Sequence, residues 1–224
     1  MKQTFSLDIY NGHLIMNCNG NEVLIDTGSP KTIGKGQTLE FMGKSIYCHK
    51  SLMGFSFSDV TELLGRDIDA LIGMDVLGDL CMLVDCAAGE VTFSNESLNI
   101  NPAVTLPLQV SSFGVVTEAK VSGKHANLII DTGAQLSYIN KPYVTGMQSI
   151  GQREDFHPFM GRYMVQVYNL TFNLAGRALE VECGASPTEI ASLISLINAD
   201  GVLGYDLFLN QKVILDFIDK KLQF

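Results

Sequence analysis

The chain contains the same design twice. Val23-Leu24-Ile25-Asp26-Thr27-Gly28-Ser29 is matched by Leu128-Ile129-Ile130-Asp131-Thr132-Gly133-Ala134. Downstream, Leu71-Ile72-Gly73-Met74-Asp75-Val76-Leu77 is matched by Val202-Leu203-Gly204-Tyr205-Asp206-Leu207-Phe208. The register then continues without a gap, Met82-Leu83-Val84-Asp85 against Val213-Ile214-Leu215-Asp216 and Val91-Thr92-Phe93 against Leu222-Gln223-Phe224. Self-similarity of this kind marks repeated structural units. The 224 residues are therefore expected to form two halves, 1–95 and 96–224, joined through the polar, proline-bearing stretch Ser94 to Pro102.

Strand signals dominate. Phe5–Tyr10, His13–Cys18 and Val23–Ile25 are separated by Asn11-Gly12 and Asn19-Gly20, which favour tight hairpin turns. The halves are unequal: 47 positions separate Asp26 from Gly73 and 73 separate Asp131 from Gly204, so the second half has gained 26. That longer stretch reads as a hairpin, Phe156–Phe159 and Tyr163–Tyr168 around Met160-Gly161-Arg162. A helix over Pro187–Asn198 follows, with Ile190, Leu193, Ile194 and Ile197 at helical spacing. The first half has only a turn of helix around Val60–Leu64. The expected class is all-β with short helices.

A pair of Asp-Thr-Gly loops related by an approximate twofold axis would bring Asp26 and Asp131 together. Two carboxyl groups about 3 Å apart cannot both ionise cheaply, so they hold one shared proton. Such a pair is a base and an acid at once, able to deprotonate a water and to protonate a substrate carbonyl oxygen. Thr27 and Thr132 can hydrogen-bond the backbone of the opposite loop, and Gly28 and Gly133 either allow close backbone approach or form a positive-φ turn. The Ser29 hydroxyl is expected to donate to Asp26, with no counterpart at Ala134, which would leave the proton mainly on Asp131.

On these motifs the sequence resembles the aspartic peptidases of the pepsin and retropepsin superfamily. The resemblance covers both halves and implies a bilobal acid-protease fold of two pseudo-twofold-related, β-barrel-like lobes. Each half is of retropepsin-subunit size, so the chain looks like such a dimer fused into a monomer. The resemblance also implies that Ile72-Gly73 and Leu203-Gly204 buttress the active loops and that a glycine-tipped hairpin covers the cleft. Met160, Gly161 and Tyr163 are the first choice for that flap, and Leu52-Met53-Gly54-Phe55 the second. The expected activity is aspartic endopeptidase, hydrolysing peptides bound in extended form with Asp26 and Asp131 as catalytic residues. The alternative is a non-catalytic, protease-like peptide-binding module.

The remaining features narrow the field. A formal charge of −9 opposes binding to nucleic acid or anionic membrane. The four histidines lack metal-ligand spacing, so no metal or other cofactor is expected. Cys18, Cys48, Cys81, Cys86 and Cys183 are odd in number without CxxC pairs, which fits reduced thiols. Residues 1–8 lack the apolar core of a signal peptide and no apolar run spans a bilayer, so the chain is expected to begin here and be cytoplasmic.

Overall fold

Two Asn-Gly turns set the register of the first three strands. β1 (Lys2–Tyr10), β2 (His13–Cys18) and β3 (Asn21–Ile25) form a meander in which Tyr10 pairs with His13 and Cys18 with Asn21. At both turns Asn and Gly have positive φ, 50° and 79° at Asn11-Gly12 and 54° and 89° at Asn19-Gly20. Mirror-image turns require these angles and match the right-handed twist of the strands. The structure, a computed structural model, describes residues 1–52, 54–111, 113–158 and 160–224.

The first half continues with β4 (Ile33–Gly34), the hairpin β5 (Thr38–Phe41) and β6 (Lys44–Tyr47), and short strands β7 (Ser51–Leu52) and β8 (Phe55–Ser56). Helix α1 (Phe57–Leu64) starts from a capping box in which Ser56 and Asp59 satisfy each other's backbone N–H groups, and stops at Gly65 with φ 73°. Then come β9 (Ala70–Ile72), the one-turn α2 (Met74–Leu77), β10 (Cys81–Asp85) and β11 (Glu90–Ser94). Ser94 ends β11, paired with Lys2 and Cys81, so the connecting segment begins one residue later than its composition suggests.

The second half opens with β12 (Thr105–Pro107), β13 (Gln109–Ser111), β14 (Gly114–Val121), β15 (Lys124–Ile130) and β16 (Ser137–Ile139). A long hairpin, β17 (Gly151–His157) and β18 (Gly161–Leu174), leads to β19 (Arg177–Ala185) and α3 (Thr188–Ser195). β20 (Gly201–Leu203), a 3-10 turn over Tyr205–Phe208, β21 (Lys212–Asp216) and β22 (Lys221–Gln223) complete it. The extra length of this half lies largely in the β17–β18 hairpin.

The longer strands form two sheets. One has ten strands in the order β12-β22-β21-β10-β11-β1-β2-β3-β9-β4; the other has eight, β13-β14-β15-β20-β16-β19-β18-β17, and curls until β14 also meets β18. In both halves the strand entering the Asp-Thr-Gly loop runs parallel to the apolar-apolar-Gly strand: Ile25 pairs with Ile72, and Ile130 with Leu203. β3 is buried on both faces, as its unbroken Val23-Leu24-Ile25 demands. Val23 and Ile25 face the main core, while Leu24 packs with Ile33, Val60, Leu64 and Leu71. The second half repeats this with Ile129, Tyr138, Ile190, Ile194 and Val202.

The halves share one sheet. β10 pairs antiparallel with β21, its repeat equivalent, and Leu83 lies opposite Ile214, the residue that the repeat aligns with it. A local twofold axis therefore passes between these two side chains. Met82, Val84, Val213 and Leu215, all fully buried, extend the main core across the join.

Candidate active site

Beside that axis the two Asp-Thr-Gly loops grip one another. The Thr27 hydroxyl donates to the Ile130 carbonyl at 2.8 Å and accepts the Thr132 N–H at 3.0 Å. The Thr132 hydroxyl does the same with the Ile25 carbonyl (2.8 Å) and the Thr27 N–H (3.0 Å). Both threonines are buried, so each of these four groups would otherwise be an unsatisfied polar atom.

The glycines permit the approach. A Cβ on Gly28 would lie 2.7 Å from Asp131 Cγ, and one on Gly133 would lie 2.6 Å from Asp26 Cγ. Neither has positive φ, so close approach, not turn geometry, is what requires them. Ile72 and Leu203 carbonyls accept the N–H groups of Asp26 and Asp131, each at 3.1 Å, fixing the loops from behind. A side chain at Gly73 would strike the Lys31 backbone, and one at Gly204 the Ala134 carbonyl, so the buttressing strands pass where only glycine fits.

A second pair of ties has no role in the sequence reading. The Thr32 hydroxyl donates to Asp75 at 2.8 Å and accepts the Gly73 N–H at 3.1 Å. Ser137 makes the equivalent bonds with Asp206 (2.6 Å) and the Gly204 N–H (3.1 Å). The signal was available: both aspartates stand two residues after the buttressing glycine, and both hydroxyls six residues after the loop aspartate.

Asp26 and Asp131 face each other within hydrogen-bond reach, partly open to a cavity and otherwise enclosed. Burial first, and then the charge of Asp131, push the Asp26 carboxyl up to about 8. Burial also raises Asp131, but backbone N–H groups of Gly133, Gly28 and Ala134 stabilise its ionised form, against Gly28 and Ser29 for Asp26. Burial raises both carboxyls, so the pair retains a proton that the two aspartates share. The donor expected from sequence to favour ionised Asp26 is absent: the Ser29 hydroxyl donates to the Lys31 carbonyl (2.9 Å), and only its backbone N–H reaches Asp26 (3.0 Å).

The cavity above the pair has a volume of about 540 Å³. Leu24, Ile33 and Leu71 form one wall, and Ile129, Val202 and Ile194 another. Leu193, which shares the helical spacing of Ile190 and Ile194, is exposed and borders this cavity, as does Leu196, which is 80% exposed. Both hairpins singled out in the sequence border it too: Phe156, His157 and Tyr163 from β17–β18, and Leu52 and Phe55 from β7–β8. Met160 and Gly161 do not line it. Met53 and Phe159, which belong to those two sequence readings, lie outside the described residues. The β17–β18 hairpin reaches the other half, with Arg162 donating to the Leu63 carbonyl at 3.0 Å and Phe156 stacked on His13 at 5.8 Å.

All five cysteines are free. Among the described residues no cluster of three metal-ligating side chains occurs and no helix is long and apolar enough to cross a membrane.

No family model and no curated protein matches the chain. Among solved structures, the protease of Simian Foamy Virus (mac) is similar at 24% identity with a TM-score of 0.30, covering 40% of this chain and 86% of that one. A foamy viral protease-reverse transcriptase in complex with an RNA/DNA hybrid is similar at 22% identity with a TM-score of 0.29, covering 45% of this chain and 11% of the other.

Proposed function

We propose that the chain is a single-chain aspartic endopeptidase, a retropepsin-like unit duplicated into two lobes, 1–95 and 96–224. The observation that carries this reading is the juxtaposition of Asp26 and Asp131 on interlocked, symmetry-related loops at the floor of a large apolar cavity. Loss of either aspartate would have favoured a non-catalytic binding module.

In the proposed mechanism ionised Asp131 takes a proton from a water as its oxygen attacks the scissile carbonyl carbon. Protonated Asp26 donates to the carbonyl oxygen, giving a neutral tetrahedral diol. The diol then returns a hydroxyl proton to Asp26, Asp131 passes its proton to the amide nitrogen, and the C–N bond breaks. The cycle needs one proton on the pair, a state that persists until Asp26 ionises near pH 8, so activity should extend to neutral pH and fall above it. The substrate is an extended peptide lying between the two hairpins, and the enzyme works as a monomer.

The test is hydrolysis of an unfolded protein between pH 4 and 7, with and without a statine-type inhibitor. Wild type should cleave and the inhibitor should block it, whereas Asp26→Asn should be inactive. Equal cleavage by the variant would end the proposal.

A further inference from the structure

The local twofold makes the two walls of the cleft directly comparable, and they differ in chemistry. Pro30 and Ile33 in the first half correspond to Gln135 and Tyr138 in the second, and all four border the cavity. Where the first wall is apolar, the second holds a buried carboxylate: Asp155, on β17, is 6% exposed and also borders the cavity. It accepts hydrogen bonds from the Gln135 amide, the Tyr138 hydroxyl and the Phe156 N–H (2.8 Å). The cations nearest in sequence are engaged elsewhere, Arg153 with Glu182 and Arg162 with Glu154 and Leu63. Among the described residues no lysine or arginine pairs with Asp155.

The neighbours add acceptors. His13 places Nδ1 at 3.2 Å from the carbonyls of both Tyr10 and Asn11, so its proton is on Nδ1 and Nε2 is an acceptor. Burial holds both His13 and His157 below the usual histidine range, so at neutral pH neither supplies a countercharge. Gln135 spends its amide N–H on Asp155, leaving its oxygen as an acceptor. The donors that Asp155 already holds, the Gln135 amide, the Tyr138 hydroxyl and the Phe156 N–H, are all neutral, and the groups beside them add acceptors, so the side chain that would complement this pocket is a cationic donor.

We propose that this pocket takes a lysine or arginine side chain of the peptide substrate, while the twofold-related pocket at Pro30, Ile33 and Leu71 takes a bulky apolar one. The assignment rests on the peptidase reading and specifies its substrate class.

Binding tests it independently of turnover. Hexapeptides with a hydroxyethylene isostere at the central bond, carrying lysine or norleucine at either flanking position, are titrated against wild type, Asp26→Asn and Asp155→Asn. At one flanking position the lysine probe should bind wild type and Asp26→Asn at least tenfold more tightly than the norleucine probe, and Asp155→Asn should show less than threefold preference. Equal binding of the two probes to wild type at both positions overturns the inference, and that comparison stands even if Asp155→Asn does not fold. So does an undiminished preference in folded Asp155→Asn. Lysine selectivity without hydrolysis of any protein would remove the peptidase reading and leave the pocket, whereas hydrolysis without lysine selectivity would do the opposite.

Discussion

Replacing Asp26 with asparagine should stabilise the protein, and only above acid pH. In the folded chain burial and Asp131 raise the Asp26 carboxyl from 3.8 to about 8, while in the unfolded chain it titrates near its ordinary value. Between these pH values the native state binds more protons than the unfolded state, so unfolding free energy falls as pH rises through the window and is flat on either side. At about 1.4 kcal/mol per tenfold change in proton affinity, the full interval is worth about 6 kcal/mol. Asparagine keeps the shape and the acceptor for the Gly28 and Ser29 N–H groups but cannot ionise, and Asp131 retains its own burial. We therefore expect a gain of about 3 to 5 kcal/mol at pH 8, roughly 6 to 20 °C in Tm for a chain of this size. Below pH 3.5 the gain should vanish. With no tryptophan in the chain, urea unfolding followed by far-ultraviolet circular dichroism at pH 3.5, 6.5 and 8 is the suitable assay, avoiding the isoelectric region near 4.8. A gain independent of pH, or a variant less stable than wild type at pH 8, would refute the electrostatic account of the pair.

Other substitutions separate the remaining parts. Thr27→Val should cost about 2 to 5 kcal/mol in chemical unfolding, because the Ile130 carbonyl and the Thr132 N–H lose their buried partner, and Thr27→Ser should recover most of it. Gly133→Ala forces a methyl against Asp26, so kcat should fall about a hundredfold or more while the fold survives, as steady-state kinetics and circular dichroism would show. Ser29→Ala should move neither limb of the pH-rate profile by more than about 0.3 pH units, since the hydroxyl does not touch Asp26. Arg162→Ala removes the bond from the β17–β18 hairpin to Leu63 and should speed limited proteolysis at the hairpin tip, an effect that a bound inhibitor should reverse.

The repeat made much of this readable in advance. Parallel pairing of Ile25 with Ile72 and of Ile130 with Leu203 follows from apolar runs at matched places, and the hairpins follow from Asn-Gly chemistry. The grip of Thr27 and Thr132 follows once a twofold axis is assumed. What could not be read depends on orientation or on partners remote in sequence. The Ser29 hydroxyl chose the Lys31 carbonyl by rotamer, which a motif does not encode. Asp155 sits in the polar run Gly151-Gln152-Arg153-Glu154-Asp155, which looks like an exposed edge strand. Its burial comes from Gln135 and Tyr138, both well upstream in the chain. Leu193 fits the helical stripe of α3, yet the stripe is wider than the core it covers and part of it spills into the cleft.

At Leu83 and Ile214 like strand lies against like strand, a join of the sort that two identical chains make. Identical chains, however, inherit every substitution in duplicate, and a cleft between them is the same read forwards or backwards. Here Tyr138 has no twin, because Ile33 stands in its place, and Gln135 answers to Pro30. A peptide laid across such a cleft meets different surroundings at its two ends. Two non-identical halves in one chain thus give the cleft a sense of direction, and a peptide bound as proposed would present its amino and carboxyl ends to different surroundings.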